Sequence, residues 1–118
     1  MDDSRKTVSD ADLGALQTLC DEKIPLIILC HIPLSTPNCK ALCKEKMTHM
    51  DDYFYLDSAS EDECGRAFVE LCMNSDAVKA VVCGHVHGYY EMEITPGKPQ
   101  IIGSQGMAGA VDILTVKG

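Results

Sequence analysis

Three of the four histidines stand where an apolar run stops. Val81-Val82-Cys83 leads into Gly84-His85-Val86-His87, and Leu26-Ile27-Ile28-Leu29-Cys30 leads into His31-Ile32-Pro33. Imidazole is the commonest protein ligand for zinc-like and iron-like ions, and two rings flanking one residue at a strand's end can reach the same small volume. His31, His85 and His87 are therefore the candidate metal ligands. A turn can also hold two solvated histidines without any ion, so the His-x-His spacing leaves that alternative open.

Convergence of the three depends on the elements that carry them. Val78 and Ala80 to Cys83 suit a short strand buried on both faces, with Gly84 letting the backbone leave the sheet sharply. Pro33 holds Ile32 extended, so His31 also sits at a strand exit. If these strands are parallel and joined through a helix, both exits lie on one edge of the sheet, where open α/β sheets bind ligands. The intervening sequence predicts that helix. Cys64, Ala67, Phe68, Leu71 and Cys72 recur at helical spacing, Ser60 is placed to cap them, and Glu61, Asp62 and Glu63 suit a positive helix N-terminus. Such crossovers are right-handed in nearly all cases.

An earlier helix is expected from about Asp10 to Glu22, capped by Ser9, with Leu13, Leu16, Leu19 and Cys20 as its apolar stripe. Lys23 and Pro25 end it. Residues 34–60 lose periodicity and read as a long loop, with a short helix over Lys40 to Met47. His49, Asp51 and Asp52 are further potential ligands in that loop, although charges on a loop are more often solvated. Tyr53, Phe54 and Tyr55 suit either a wall over a substrate or packing on the sheet.

After His87 the pattern alternates, with Tyr90, Met92 and Ile94 against Tyr89, Glu91 and Glu93, which predicts a half-exposed strand. Thr95-Pro96-Gly97-Lys98 reads as a turn and Gln100 to Gly103 as the hairpin partner. The glycine-rich stretch Gly103 to Gly109 lacks the Lys and following helix of a phosphate-binding loop, and Ser104 lacks a Gly-x-Ser-x-Gly setting. It reads as a connection to a last strand, Val111 to Val116.

Composition sets the class. A chain of 118 residues is one domain (1–118), large enough to bury roughly 65% of the surface its unfolded form exposes. A net charge of -8 without any basic run argues against nucleic acid and against an anionic membrane. Met1 to Lys6 has no signal-peptide character, and no stretch approaches the roughly 20 apolar residues of a membrane span. Seven cysteines, an odd set often placed inside apolar runs, predict a reducing cytoplasm. Cys39 and Cys43 have no second pair to complete a zinc site and read as small hydrophobes.

The His-x-Pro of His31 to Pro33 and the Gly-His-x-His of Gly84 to His87, each after a strand and in this order, resemble the C-terminal half of the calcineurin-like metallophosphoesterases. The resemblance covers most of the chain. It implies a two-metal site of zinc, iron or manganese, in which positions matching His31 and His85 bind one ion and that matching His87 binds the other. The ions of that family grip a phosphoester and activate water for in-line attack. The family's Asp-x-His, Gly-Asp-x-x-Asp and Gly-Asn-His-Glu or Gly-Asn-His-Asp motifs are absent from this sequence. No catalytic residue is therefore assigned.

The resulting expectation is an α/β fold, one mixed sheet of about five strands with two main helices against one face, resembling half of the family's αββα sandwich. The functional expectation is the C-terminal portion of a metal-dependent phosphoesterase for phosphomono- or diesters, a truncated domain inactive alone. The alternative is a non-catalytic interaction module that keeps the fold. A sheet covered on one face only predicts association, with a second copy or with the missing N-terminal half.

Overall fold

The computed structural model describes residues 8–39, 41, 56–57, 63–85, 89–103 and 115–116. His87, the His49 to Tyr55 cluster, the cap at Ser60, and most of the glycine-rich connection, of the final strand and of the Lys40 to Met47 helix lie outside these residues; Thr115 and Val116, the described end of the expected final strand, are exposed and belong to no strand. The fold is α/β. A four-stranded mixed sheet carries β1 (Leu26–Leu29), β4 (Val78–Cys83), β5 (Tyr90–Thr95) and β6 (Lys98–Ile102) in the order β1-β4-β6-β5. Only the β5–β6 pair is antiparallel. A two-stranded parallel pair, β2 (Leu34–Ser35) with β3 (Leu56–Asp57), falls inside the stretch that reads as a loop in the sequence. At two residues each, these strands are too short to show a periodicity.

Helix α1 (Asp10–Asp21) begins as its cap residue dictates. Ser9 is extended, and its hydroxyl oxygen accepts from the Asp12 N–H at 3.0 Å. It ends where Lys23 turns left-handed at φ 57 and the Lys23 and Ile24 N–H groups donate back to Cys20 and Leu19. Helix α2 (Glu63–Asn74) is the crossover between β1 and β4. The two helices bring Leu16 and Cys20, and Phe68, Val69 and Cys72, into one core with Val78, Val81 and Ile102.

The second helix has no basic residue in its last turn. Lys98, at the start of β6, supplies that charge from outside. Its Nζ donates to the carbonyls of Cys72 at 2.7 Å, Met73 at 3.2 Å and Ser75 at 2.8 Å, so the otherwise unpaired end of the helix is satisfied. Replacing Lys98 with Met keeps the stem and removes the ammonium. Hydrogen bonds to charged groups are worth about 1.5–3 kcal/mol net, and urea denaturation of Lys98→Met should show a loss of about 2 kcal/mol.

Strand β4 was expected to be buried on both faces, and it is not. A register shift skips Lys79, after which Val81 and Cys83 face the core while Ala80 and Val82 are half-buried on the outer face. Leu29 and Ile27 of β1 share that outer face, 64% and 38% exposed. Among the described residues both helices cover the same side of the sheet, which leaves the other side of an apolar run in solvent. The hairpin turn forms as its sequence predicts, with Gly97 at φ 81. No helix among the described residues is long and apolar enough to cross a membrane.

Candidate functional site

Parallel pairing of β1 with β4 carries both histidine exits to one edge. Cys30 N–H donates to the Val82 carbonyl at 3.1 Å, and Gly84 N–H donates to the His31 carbonyl at 3.1 Å. The ladder therefore runs one step past each strand and fastens the two exits together. The Gly103 N–H, at the end of β6, donates to the Cys83 carbonyl at 2.7 Å and ties the third strand to the same edge.

Two rings that are 54 residues apart in sequence meet at this point. His31 Nε2 and His85 Nδ1 lie 3.0 Å apart, with ring centroids 4.9 Å apart and planes at 77°. His31 is exposed and His85 half-buried. A ring nitrogen has either a proton or a lone pair to offer, so this approach is a hydrogen bond in which one ring donates and the other accepts. It is also the spacing of two ligands on one ion. Nitrogens about 2.0–2.1 Å from a centre are about 2.9 Å apart when they subtend a right angle and about 3.4 Å at the tetrahedral angle. A cation would compete with the shared proton for these ring nitrogens, which suit zinc-, iron- or manganese-type ions but as two rings do not fill a coordination shell.

The backbone at the site departs from the expectation. The sharp exit from β4 was assigned to Gly84, yet the left-handed residue is His85, at φ 68. A Cβ added at Gly84 would meet nothing within 4 Å. A non-glycine residue held in this region costs about 1–3 kcal/mol and is found mainly where the geometry serves a site. Here the left-handed turn aims the His85 ring at His31.

The neighbouring thiols are buried: Cys30 Sγ donates to the Ile32 carbonyl at 3.5 Å and Cys83 Sγ to the Ile101 carbonyl at 3.6 Å, as small core residues do. Among the described residues no group of three or more His, Cys, Asp or Glu side chains is placed to hold an ion. His87 lies outside the described residues.

One positioning residue carries no signal of chemistry in the sequence. Gln100 is fully buried in β6. Its Oε1 accepts from the Leu34 N–H at 2.8 Å and its Nε2 donates to the Leu34 carbonyl at 3.1 Å. The side-chain amide thus imitates a strand and holds the segment just after His31-Ile32-Pro33. The only hint is a lone amide in the otherwise apolar run before Ile101-Ile102.

The chain matches no family model, and no curated protein or solved structure is significantly similar to it. The class that fold and site define is an α/β domain with a pair of imidazoles at the carboxyl edge of its parallel strands.

Proposed function

We propose that this chain provides part of a metal-dependent phosphoesterase site, with His31 and His85 sharing one divalent ion and His87 contributing to a second. The observation that carries this reading is the 3.0 Å approach of His31 Nε2 to His85 Nδ1 at the exits of adjacent parallel strands. The left-handed backbone of His85 and the Gly84 to His31 tie support it, because they fix both rings at one point. A bound divalent ion supplies Lewis acidity toward a phosphoryl oxygen and acidifies water. The chain's own part is to bind and orient. His31 and His85 present ring nitrogens, and the buried core behind Cys30 and Cys83 keeps them from turning inward.

The sequence holds no Asp-x-His, Gly-Asp or Asn-His, so in this reading the motifs that complete a two-ion site lie outside these 118 residues. Phosphoester hydrolysis is expected only when a segment carrying them is supplied. The exposure of Leu29 and Ile27 favours a second reading, a non-catalytic module that binds through this sheet.

Zinc and manganese titrations followed by calorimetry test the first reading. Wild type should bind close to one ion, and His31→Ala and His85→Ala should each weaken binding by about 100-fold or more, as expected when one of few protein ligands is lost. Equal binding by wild type and both variants would sink the assignment.

A further inference from the structure

Strand β1 ends the sheet order, and nothing among the described residues pairs with its other side. Leu26 and Cys30 send their N–H groups to Ala77 and Val82, on the β4 side. Alternate residues of a parallel strand face the partner, so the peptide groups of Ile27 and Leu29 face the open edge. The edge is apolar along its whole length: Leu26-Ile27-Ile28-Leu29 has no charge and no proline. Sheet edges exposed to water normally carry a lysine, a proline or an inward charge that prevents pairing. A groove of about 230 Å³ runs beside this edge between β1 and α1, with Asp12, Leu16, Leu19 and Phe68 on one side and the residues of β1 on the other.

We propose that β1 pairs antiparallel with β1 of a second copy of this chain, about a two-fold axis at Ile28, joining two four-stranded sheets into one of eight. The strand is complementary to itself in that register. Ile27 lies opposite Leu29 of the second copy and Leu29 opposite its Ile27, and each such pair exchanges two N–H to carbonyl bonds. The side chains match as well. Ile27 and Leu29 meet across the junction on the outer face, and Ile28 meets its own copy on the other. A slip of one residue sets outward groups against inward ones and moves each side chain to the wrong face. The paired strands themselves carry no charge, although Asp12 lines the adjoining groove in each copy and each chain carries -8 overall. Salt therefore strengthens the association by screening long-range repulsion. This pairing does not rest on the metal reading and leaves both histidine sites free.

Sedimentation equilibrium of the full chain at high micromolar concentration, combined with amide exchange, tests it. A mass of twice 12.8 kDa is expected, with the Ile27 and Leu29 amides exchanging at least about 10-fold more slowly than after dilution to monomer. The Ile28 amide, which faces β4, stays slow in both. Leu29→Pro removes one outward N–H and leaves the bonds to β4 in place, so it should be monomeric. Leu29→Lys gives a second variant if the proline chain fails to fold. A monomer at high concentration overturns the proposal. So does a dimer whose Ile27 and Leu29 amides exchange freely, or one that survives a folded Leu29 variant; either outcome would place the contact elsewhere or assign the edge to a different protein's strand.

Discussion

Gln100→Leu is expected to lose about 3 kcal/mol or more in urea denaturation, because each buried polar group left without a partner costs about 1–3 kcal/mol. The substitution keeps the volume nearly constant, so the loss measures hydrogen bonding and not a cavity. Both main-chain groups of Leu34, a residue with no exposed surface, would be stranded. Gln100→Glu should be no better. Its carboxylate can accept from the Leu34 N–H but cannot donate to the Leu34 carbonyl, and it would bury a charge. Because Leu34 is three residues from His31, Gln100→Leu should also loosen the ring that faces His85. Metal affinity is expected to fall about 10-fold at temperatures where the variant remains folded, as for groups that orient a ligand without touching the ion. Unchanged stability would mean that water replaces the amide, and Gln100 would then have no positioning role.

The second large effect lies at alkaline pH. Burial pushes the Cys72 thiol up to about 12, with the neighbouring Cys30 adding to the shift and the Lys98 ammonium opposing it. In the unfolded chain a thiol ionises near its ordinary value of 9.0. Between that value and about 12 the folded chain therefore holds a proton that the unfolded chain has released, and stability falls as pH rises. Below the unfolded value the contribution is fully present. By about pH 12 the accumulated loss is about 4 kcal/mol, from about 1.4 kcal/mol for each pH unit of the interval.

Lys98 acts in the opposite direction. Desolvation lowers its ammonium below the ordinary value, so stability rises with pH between that lowered value and the unfolded one. The buried thiol dominates because its shift is the larger. Urea midpoints of wild type and Cys72→Val, measured from neutral pH to about pH 11, should diverge steadily, with wild type losing more. Parallel curves would show that the Cys72 thiol is reached by solvent in the native state.

Local signals in the sequence located most of the fold. Ser9 is a cap because its hydroxyl reaches a free N–H, and α1 begins where that chemistry places it. Pro96-Gly97 is a turn because proline fixes one dihedral and glycine admits a positive φ, and β5 and β6 pair across it. The parallel placement of the His31 and His85 exits was legible because each apolar run ends in a histidine and a helix of suitable length lies between. Features that depend on tertiary neighbours were not legible. An apolar run does not say which of its faces a helix will cover, so the exposure of Leu29 and the half-exposure of Val82 had no local sign. A two-residue strand such as β2 has no period. The left-handed residue at the site is His85 although a glycine precedes it, because the tie from Gly84 N–H to His31 fixes the backbone one residue earlier. Gln100 resembles any polar residue in a strand until Leu34 is placed above it.

The sheet order also dictates how the chain can reach this state. The β5–β6 hairpin is closed by a two-residue turn, and hairpins of this kind form in about 1–10 μs. Strand β4 can join it after a short connection. Strand β1 must wait, since it can enter only beside β4, across most of the distance that separates His31 from His85. Closing that span costs entropy before any contact repays it. On this entropic ground the apolar strand at the rim is expected to dock last, and the imidazole pair cannot form before it does. Assembly of the site and completion of the sheet are the same late event.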